Sequence, residues 1–587
     1  MKSAYKNKKV EKKSNNKPLE NAKNKSNASG LFKKKYQFYS VILLLFIISI
    51  VTFSPSLKNE FIDTWDDGVY VVNNQLLRDV SWQGILNIFK FNDEFQRLTN
   101  NYHPITTFSL ALNYQMSALN PSSYHLTNVI THGFNAILVF IFIYFLSKKR
   151  IWPAIIAGLL FSIHPMHVES VSWISERKDV LYTFFFIAGL ISYLKYLEDG
   201  KIWKLLITLI LFIFSCLSKA MAVPFPFVLL LIDYFQRRKF SMKLIYEKIP
   251  FIVIAIIIGI MSVNLQSTTA INKFETFTLY QRIIHASYGF ITYIFKFINP
   301  SNLSAFYPYP SITQTGQLPF IFRISPYICF IIAALIIWLI TKKKEIPRII
   351  VFGILFYLFT ITLVLQFISV GRAIIADRYT YIPYIGLSFI VGMLADYYIQ
   401  KKSSDKYIGY SIISITLILS IVFAFKTTER TKVWKNNISL WSNAIEQNPD
   451  VRLNFIYEKR ARTYLEKNLY ELALKDYNTI ATNDIKDDNA MERIGYIYGA
   501  YYNELEKSIT YLEKANKINP KNLAVLKNLG VAMGMKGEHQ NSLTYFLKAY
   551  EINKTDSVLL QNISSSYKYM GKMDEASKYE QLAKTIK

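Results

Sequence analysis

Apolar runs recur through the first 425 residues, among them Val41 to Val51, Leu205 to Phe214, Phe251 to Ile260 and Ile328 to Ile340. Short polar stretches separate them at intervals suited to a membrane. A helix fills a bilayer with roughly 20 apolar residues. On that rule spans are predicted near 38–56, 125–146, 153–168, 179–197, 203–219, 221–236, 249–266, 323–341, 347–368, 379–398 and 407–425. After residue 426 the pattern changes to amphipathic helices, and the tail repeats itself at an offset of 34: Ala515, Ala549 and Ala583 fall in register, as do Ser508, Ser542 and Ala576. That period belongs to tetratricopeptide (TPR) repeats. Gly530 falls where the two helices of a pair pack closely, and Pro520 ends a helix, as Pro449 does upstream. Three or four repeats are expected, the first, around 450–484, degenerate. The fold class is therefore all-α: a polytopic membrane helix bundle of about 11 spans with a C-terminal TPR α-solenoid.

Composition agrees: 51% of the 587 residues are hydrophobic and only 19% charged, which argues against a single soluble domain. The net charge of +27 would suit nucleic acid, but its placement does not. Lys148-Lys149-Arg150, Lys201 with Lys204, Arg237-Arg238-Lys239, Lys342-Lys343-Lys344 and Lys401-Lys402 abut apolar segments, where cytosolic positive charge sets orientation. The chain thus divides into a disordered basic cytosolic tail (1–37), a transmembrane domain (38–425) with an outer loop (57–124), and a repeat domain (430–587). Residues 1–37 also suit anionic lipid as an additional role. Segment 283–299 is assigned as re-entrant or interfacial, because a span there would turn the remaining basic loops outward. An odd number of spans puts the repeats on the extracytoplasmic side, together with 57–124, 169–178, 267–322 and 369–378. Cys216 and Cys329 lie inside apolar runs, so no disulfide framework or cysteine-based metal site is implied.

The outer side collects the polar chemistry. Asp66 and Asp67, in Trp65-Asp66-Asp67-Gly68, suit general-base work or a cation site, since adjacent carboxylates near a bilayer raise one another's pKa; a solvated acidic turn capping a loop helix would use the same residues. His103, His125 and His132 lack the spacing of a compact zinc site, and hydrogen bonding at the membrane interface suits them better. The stretch His164 to Asp179 crowds His164, His167, Glu169, Glu176, Arg177, Lys178 and Asp179 at a membrane rim, where such groups point to function unless they pair with one another. Arg177 and Lys178 break the positive-inside pattern, as do Lys219, Arg372 and Arg378 beside Asp377 and Tyr379. A lipid-linked phosphate at the outer surface would give these cations a purpose. Tyr307-Pro308-Tyr309-Pro310 reads either as an interface belt or as a surface for sugar or lipid.

Together these pieces resemble the transmembrane and TPR-containing, O-mannosyltransferase-like family, and its bacterial relatives, within the GT-C superfamily of membrane glycosyltransferases. The residues that carry the resemblance are Trp65-Asp66-Asp67, Asn101-Tyr102-His103-Pro104, Tyr124-His125-Leu126-Thr127-Asn128, His164 to Val171, Ser175 to Val180 and Ala376-Asp377-Arg378-Tyr379. The resemblance implies inverting transfer of a sugar, mannose or similar, from a polyprenyl-phosphate donor to Ser/Thr hydroxyls of extracytoplasmic proteins, at a bacterial inner membrane. By it Asp66 is the base, with Asp67 beside it where the protein O-mannosyltransferases carry Asp-Glu. Arg177, Lys178, Lys219, Arg372 and Arg378 are candidates to hold the donor phosphate. Trp65, His103, His125, His164, His167, Glu169, Glu176, Asp377 and Tyr379 are candidates to bind substrate or shape the site. No cofactor is required and no metal ligand is assigned, although Asp66 and Asp67 could host a divalent cation. Acceptor proteins are expected partners, through the repeat groove or without it. The competing reading is a non-catalytic scaffold that gathers envelope proteins on its repeats.

Overall fold

The computed structural model describes residues 36–91, 94–266, 277–310, 318–342, 344–368, 371–401, 405–449, 451 and 453–586. Nearly all of the basic tail expected at 1–37 lies outside them. The described chain is all-α apart from one two-stranded antiparallel pair, Tyr307–Pro308 with Ala373–Ile375.

Each of the eleven expected spans coincides with an apolar helix, but the helices are of three kinds. Seven are long and apolar enough to cross a membrane: Tyr36–Lys58, Pro121–Leu146, Ile174–Asp199, Met242–Gln266, Phe320–Thr341, Glu345–Val364 and Lys406–Val433. One expected span is bent by 53° into Ile151–Ile163 and Pro165–Ser172. The break falls at His164-Pro165, where proline has no amide proton for the helix and restricts the residue before it. The other three, Ile202–Ser218, Ala220–Phe235 and Tyr384–Ile399, are shorter apolar helices. Helix Leu279–Ile298, whose segment was expected not to span, opens on a Thr278/Gln281 capping box and is not among the seven.

These helices make a multi-pass bundle. Its largest buried cluster runs through Phe140, Phe161, Phe186, Phe225, Phe352 and Phe389 and on to Trp434 and Trp441. Beyond it, four helical hairpins stack: Asn454–Glu466 with Tyr470–Asn483, Asp488–Ala500 with Leu505–Ile518, Leu523–Met535 with His539–Ile552, and Ser557–Tyr569 with Met573–Thr585. The in-register small residues are all buried between helices. Gly530 is needed for that packing, since a Cβ there would lie 2.5 Å from the Phe546 ring. Helix Asn437–Glu446 precedes the hairpins and joins them to the last span.

Helix Arg177–Asp199 has an ion cluster at each end. Near its C-terminus, Tyr193 donates to Asp233 at 2.6 Å and Tyr196 to Glu247 at 2.5 Å. Lys248 lies 2.7 Å from Asp233, and Arg238 donates to both oxygens of Glu247. The other cluster, roughly 22 Å away at 1.5 Å per residue, belongs to the candidate site.

Candidate active site

The loop after the first span folds back at Gly68, where a Cβ would clash with the Asp63 carbonyl oxygen, so only glycine fits. The two acids of this turn have opposite surroundings. Asp67 is buried and accepts from the Ile62 amide at 2.8 Å, the Ser175 amide at 2.9 Å and the Ser175 hydroxyl. Burial pushes its carboxyl up to about 7 against the pull of those donors. Asp66 instead lines a cavity of about 390 Å³, with Oδ2 3.4 Å from Lys178 Nζ. Because both oxygens of Asp67 are engaged elsewhere, the pair does not converge on one point. Among the described residues no group of three or more His, Cys, Asp or Glu side chains gathers as metal ligands do.

Beside Asp66 in the same cavity three cations are arranged around one carboxylate. Glu176 Oε1 lies 3.3 Å from Lys178 Nζ and 3.4 Å from Arg378 Nε, while Oε2 lies 3.1 Å from Lys219 Nζ. Asp179 approaches Lys219 at 2.5 Å, and Glu169 accepts from both the guanidinium and the backbone amide of Arg378, the latter at 3.0 Å. Exposure decides what a ligand meets: Glu169, Glu176 and Asp179 are each 1% exposed, against 7% for Lys178, 10% for Lys219, 18% for Arg378 and 35% for Asp66. A ligand in the cavity therefore meets three partly exposed cations and Asp66, with Glu176 contributing to the lining at 1% exposure and Glu169 and Asp179 off it, holding the cations in place. His103 and Tyr379 complete this polar wall. Burial, then the Lys178 and Lys219 charges, hold the His103 imidazole well below its ordinary pKa, and its Nδ1 has no hydrogen-bond partner among the described residues.

The opposite wall is apolar, and through Val223, Gly259 and Val263 it continues into a groove of about 620 Å³ lined by Pro226, Phe227, Ile252, Ile256 and Ile260.

The remaining sequence candidates lie around this cavity rather than on it. Arg177 is fully buried and donates to Asn128, to Ser109 and Asn113 at 2.9 Å each, and to the Tyr124 carbonyl at 2.8 Å. It therefore ties helix Pro104–Ser117 to helix Pro121–Leu146. Arg372 lies over the Phe455 ring at 4.9 Å. Asp377 accepts from Tyr307 at 2.7 Å, which fixes the backbone next to Arg378. His164 caps Met166 and meets the Phe297 carbonyl, and His167 meets the Phe161 carbonyl. His125 is buried at the start of helix Pro121–Leu146. Trp65 packs on Trp173 at 4.4 Å and Trp441 at 5.0 Å. The sequence assigns no site role to Ser175, which holds Asp67, although it carries part of the resemblance, nor to Tyr70, whose ring lies 4.8 Å from Lys178 Nζ.

No family model matches the chain. It is 27% identical over 424 residues to protein O-mannosyl-transferase F38B6.6 of Caenorhabditis elegans, covering 70% of this chain and 58% of that protein. It is 35% identical over 139 residues to human protein O-mannosyl-transferase TMTC2, covering 22% of this chain and 16% of that protein. The chain thus spans less than two thirds of the length of these relatives. Among solved structures, a thermophilic TPR protein of Thermus thermophilus is similar over 29% of this chain and 88% of its own, at 18% identity and a TM-score of 0.23. Homologues of this chain are thus TMTC-type protein O-mannosyltransferases.

Proposed function

We propose that the chain is a membrane glycosyltransferase of the GT-C type that moves mannose, or a similar sugar, from a polyprenyl-phosphate donor to Ser or Thr hydroxyls of proteins on the extracytoplasmic side. The observation that supports this best is one cavity lined by Asp66 together with Lys178, Lys219 and Arg378, and an apolar groove leading out of it. Its volume falls within the roughly 300–1,000 Å³ common for small-molecule sites. The three cations suit a phosphate, and the groove suits a hydrocarbon tail.

Chemically, Asp66 takes the proton of the acceptor hydroxyl while that oxygen attacks the anomeric carbon. The carbon–oxygen bond to phosphate breaks in the same displacement, its electron pair leaving with the polyprenyl phosphate, so configuration inverts. Lys178, Lys219 and Arg378 stabilise the charge that grows on the leaving group, which then needs no acid. His103, held neutral, offers an imidazole nitrogen to a sugar or acceptor hydroxyl.

The test uses wild type and Asp66→Asn in detergent with radiolabelled polyprenyl-phosphate mannose and Ser/Thr-rich peptides. Transfer by wild type and not by the variant supports the assignment. Equal function of both proteins, with loss only on deleting residues 430–587, overturns it in favour of a scaffold acting through the repeats.

A further inference from the structure

The loop that carries Asp66 is held by a part of the chain more than 370 residues away. Asn437, on helix Asn437–Glu446, donates to Asp63 Oδ1 at 2.5 Å and accepts from Thr64 Oγ1 at 2.7 Å. One turn along the same face, Trp441 donates its indole N–H to Thr64 Oγ1 at 2.9 Å, and its ring packs on Trp65. Three hydrogen bonds and a ring contact therefore converge on residues 63–65, immediately before Asp66.

The same helix reaches the other wall. Asn443 accepts from Arg430 at 2.6 Å, and Arg430 lies 3.9 Å from Asp377. Asn448, two residues past the helix, donates to the Phe306 carbonyl at 3.2 Å, beside the Tyr307 that donates to Asp377. Asp377 precedes Arg378. One ten-residue helix thus touches the supports of both the base and a phosphate-holding cation.

We propose that helix Asn437–Glu446 is a positioning clamp: through Asn437 and Trp441 on one side, and Asn443 and Asn448 on the other, it sets how Asp66 faces Arg378. The proposal rests on the glycosyltransferase reading. None of these four residues lines the cavity, so all act through others. Connecting loops are otherwise the mobile parts of a fold, and a misplacement of about 1 Å at reacting groups costs on the order of 10²-fold in rate.

The experiment compares full-length wild type, Asn437→Ala and Trp441→Phe by steady-state transfer, thermal unfolding and amide hydrogen exchange. For Asn437→Ala the expected result is a kcat lower by about tenfold or more, an unchanged donor KM, an unchanged unfolding midpoint and faster exchange in residues 59–68. Trp441→Phe keeps an aromatic ring, though a smaller one, and removes the hydrogen bond to Thr64, so exchange in residues 59–68 should quicken there too; it replaces the first variant if that one fails to fold. Wild-type kcat in a folded variant, or unchanged exchange in residues 59–68, overturns the clamp. Should wild type itself transfer no sugar, the glycosyltransferase reading falls, and the exchange measurement still decides whether this helix holds the loop.

Discussion

The two ion clusters at the ends of helix Arg177–Asp199 use the same ingredients in opposite ways. At the C-terminal end Asp233 and Glu247 meet Arg238 and Lys248, two acids for two cations, with Tyr193 and Tyr196 closing the network. At the N-terminal end the acids are the deepest members, and Lys178, Lys219 and Arg378 are held between them and a cavity. Both clusters border open volume, since Arg238 lines a cavity with Lys148 and Lys149, but there a single cluster cation, clasped by both oxygens of Glu247, reaches it; at the N-terminal end three cations converge on one cavity beside Asp66, an arrangement equipped to bind an anion. Burial and charge count alone do not separate them, because both are buried and rich in pairs.

The contrast can be broken most severely at Asp66. Asp66→Asn should lower transfer by about 10²–10⁴-fold and leave the unfolding midpoint unchanged, since this side chain makes only one ion pair, at 3.4 Å. At the other cluster the effects should reverse. Lys248→Met strands Asp233, while Arg238 still holds Glu247, and should destabilise the protein by about 3–5 kcal/mol, read by thermal unfolding, with donor KM unchanged. Adding Asp233→Leu removes the stranded acid and should recover much of that loss. Arg378→Lys keeps the charge and removes the guanidinium fork, so donor KM should rise roughly tenfold, the worth of one charged hydrogen bond. The last test concerns Asp67. Its carboxyl titrates near 7 when folded, against 3.8 for the ordinary group, so the folded protein holds a proton that the unfolded chain has lost. That contribution to stability is full below about pH 4 and is lost as pH rises through about 7. Asp67→Asn should therefore flatten the fall in unfolding midpoint between about pH 4 and 7.

Much of this was legible in the residues. Apolar runs located the helices of the eleven expected spans, though not Pro104–Ser117 beside them, and the register of Ala515, Ala549 and Ala583 announced the hairpins, because burial is written in periodicity. Asp66, His103, Glu176, Lys178, Lys219, Arg378 and Tyr379 were all candidates, and all line the cavity. What sequence could not do was separate neighbours. Arg177 and Lys178 carry the same charge, yet about 100° of helix rotation sends one into a cage of Asn128, Ser109 and Asn113 and the other to the cavity. Asp66 and Asp67 differ because Ser175, some hundred residues on, supplies donors to only one of them. The lengths of the individual spans were equally hidden, since the bend at His164 and the short helices around Lys219 depend on packing that hydropathy does not record.

The bonds from Asn437 and Trp441 also bear on the order in which the protein is made. Thr64 leaves the ribosome 373 residues before Asn437. At synthesis rates of 5–20 residues per second, the loop bearing Asp66 waits about 20–75 s for its partner. Towards the end of that interval, once Arg378 has been made, Asp66 and the cations near Glu176 are all synthesised while the helix that fixes their spacing is not. A nascent chain stalled before residue 437 should therefore be inserted but inactive, and catalytic competence should arrive with the first helix made after the last span.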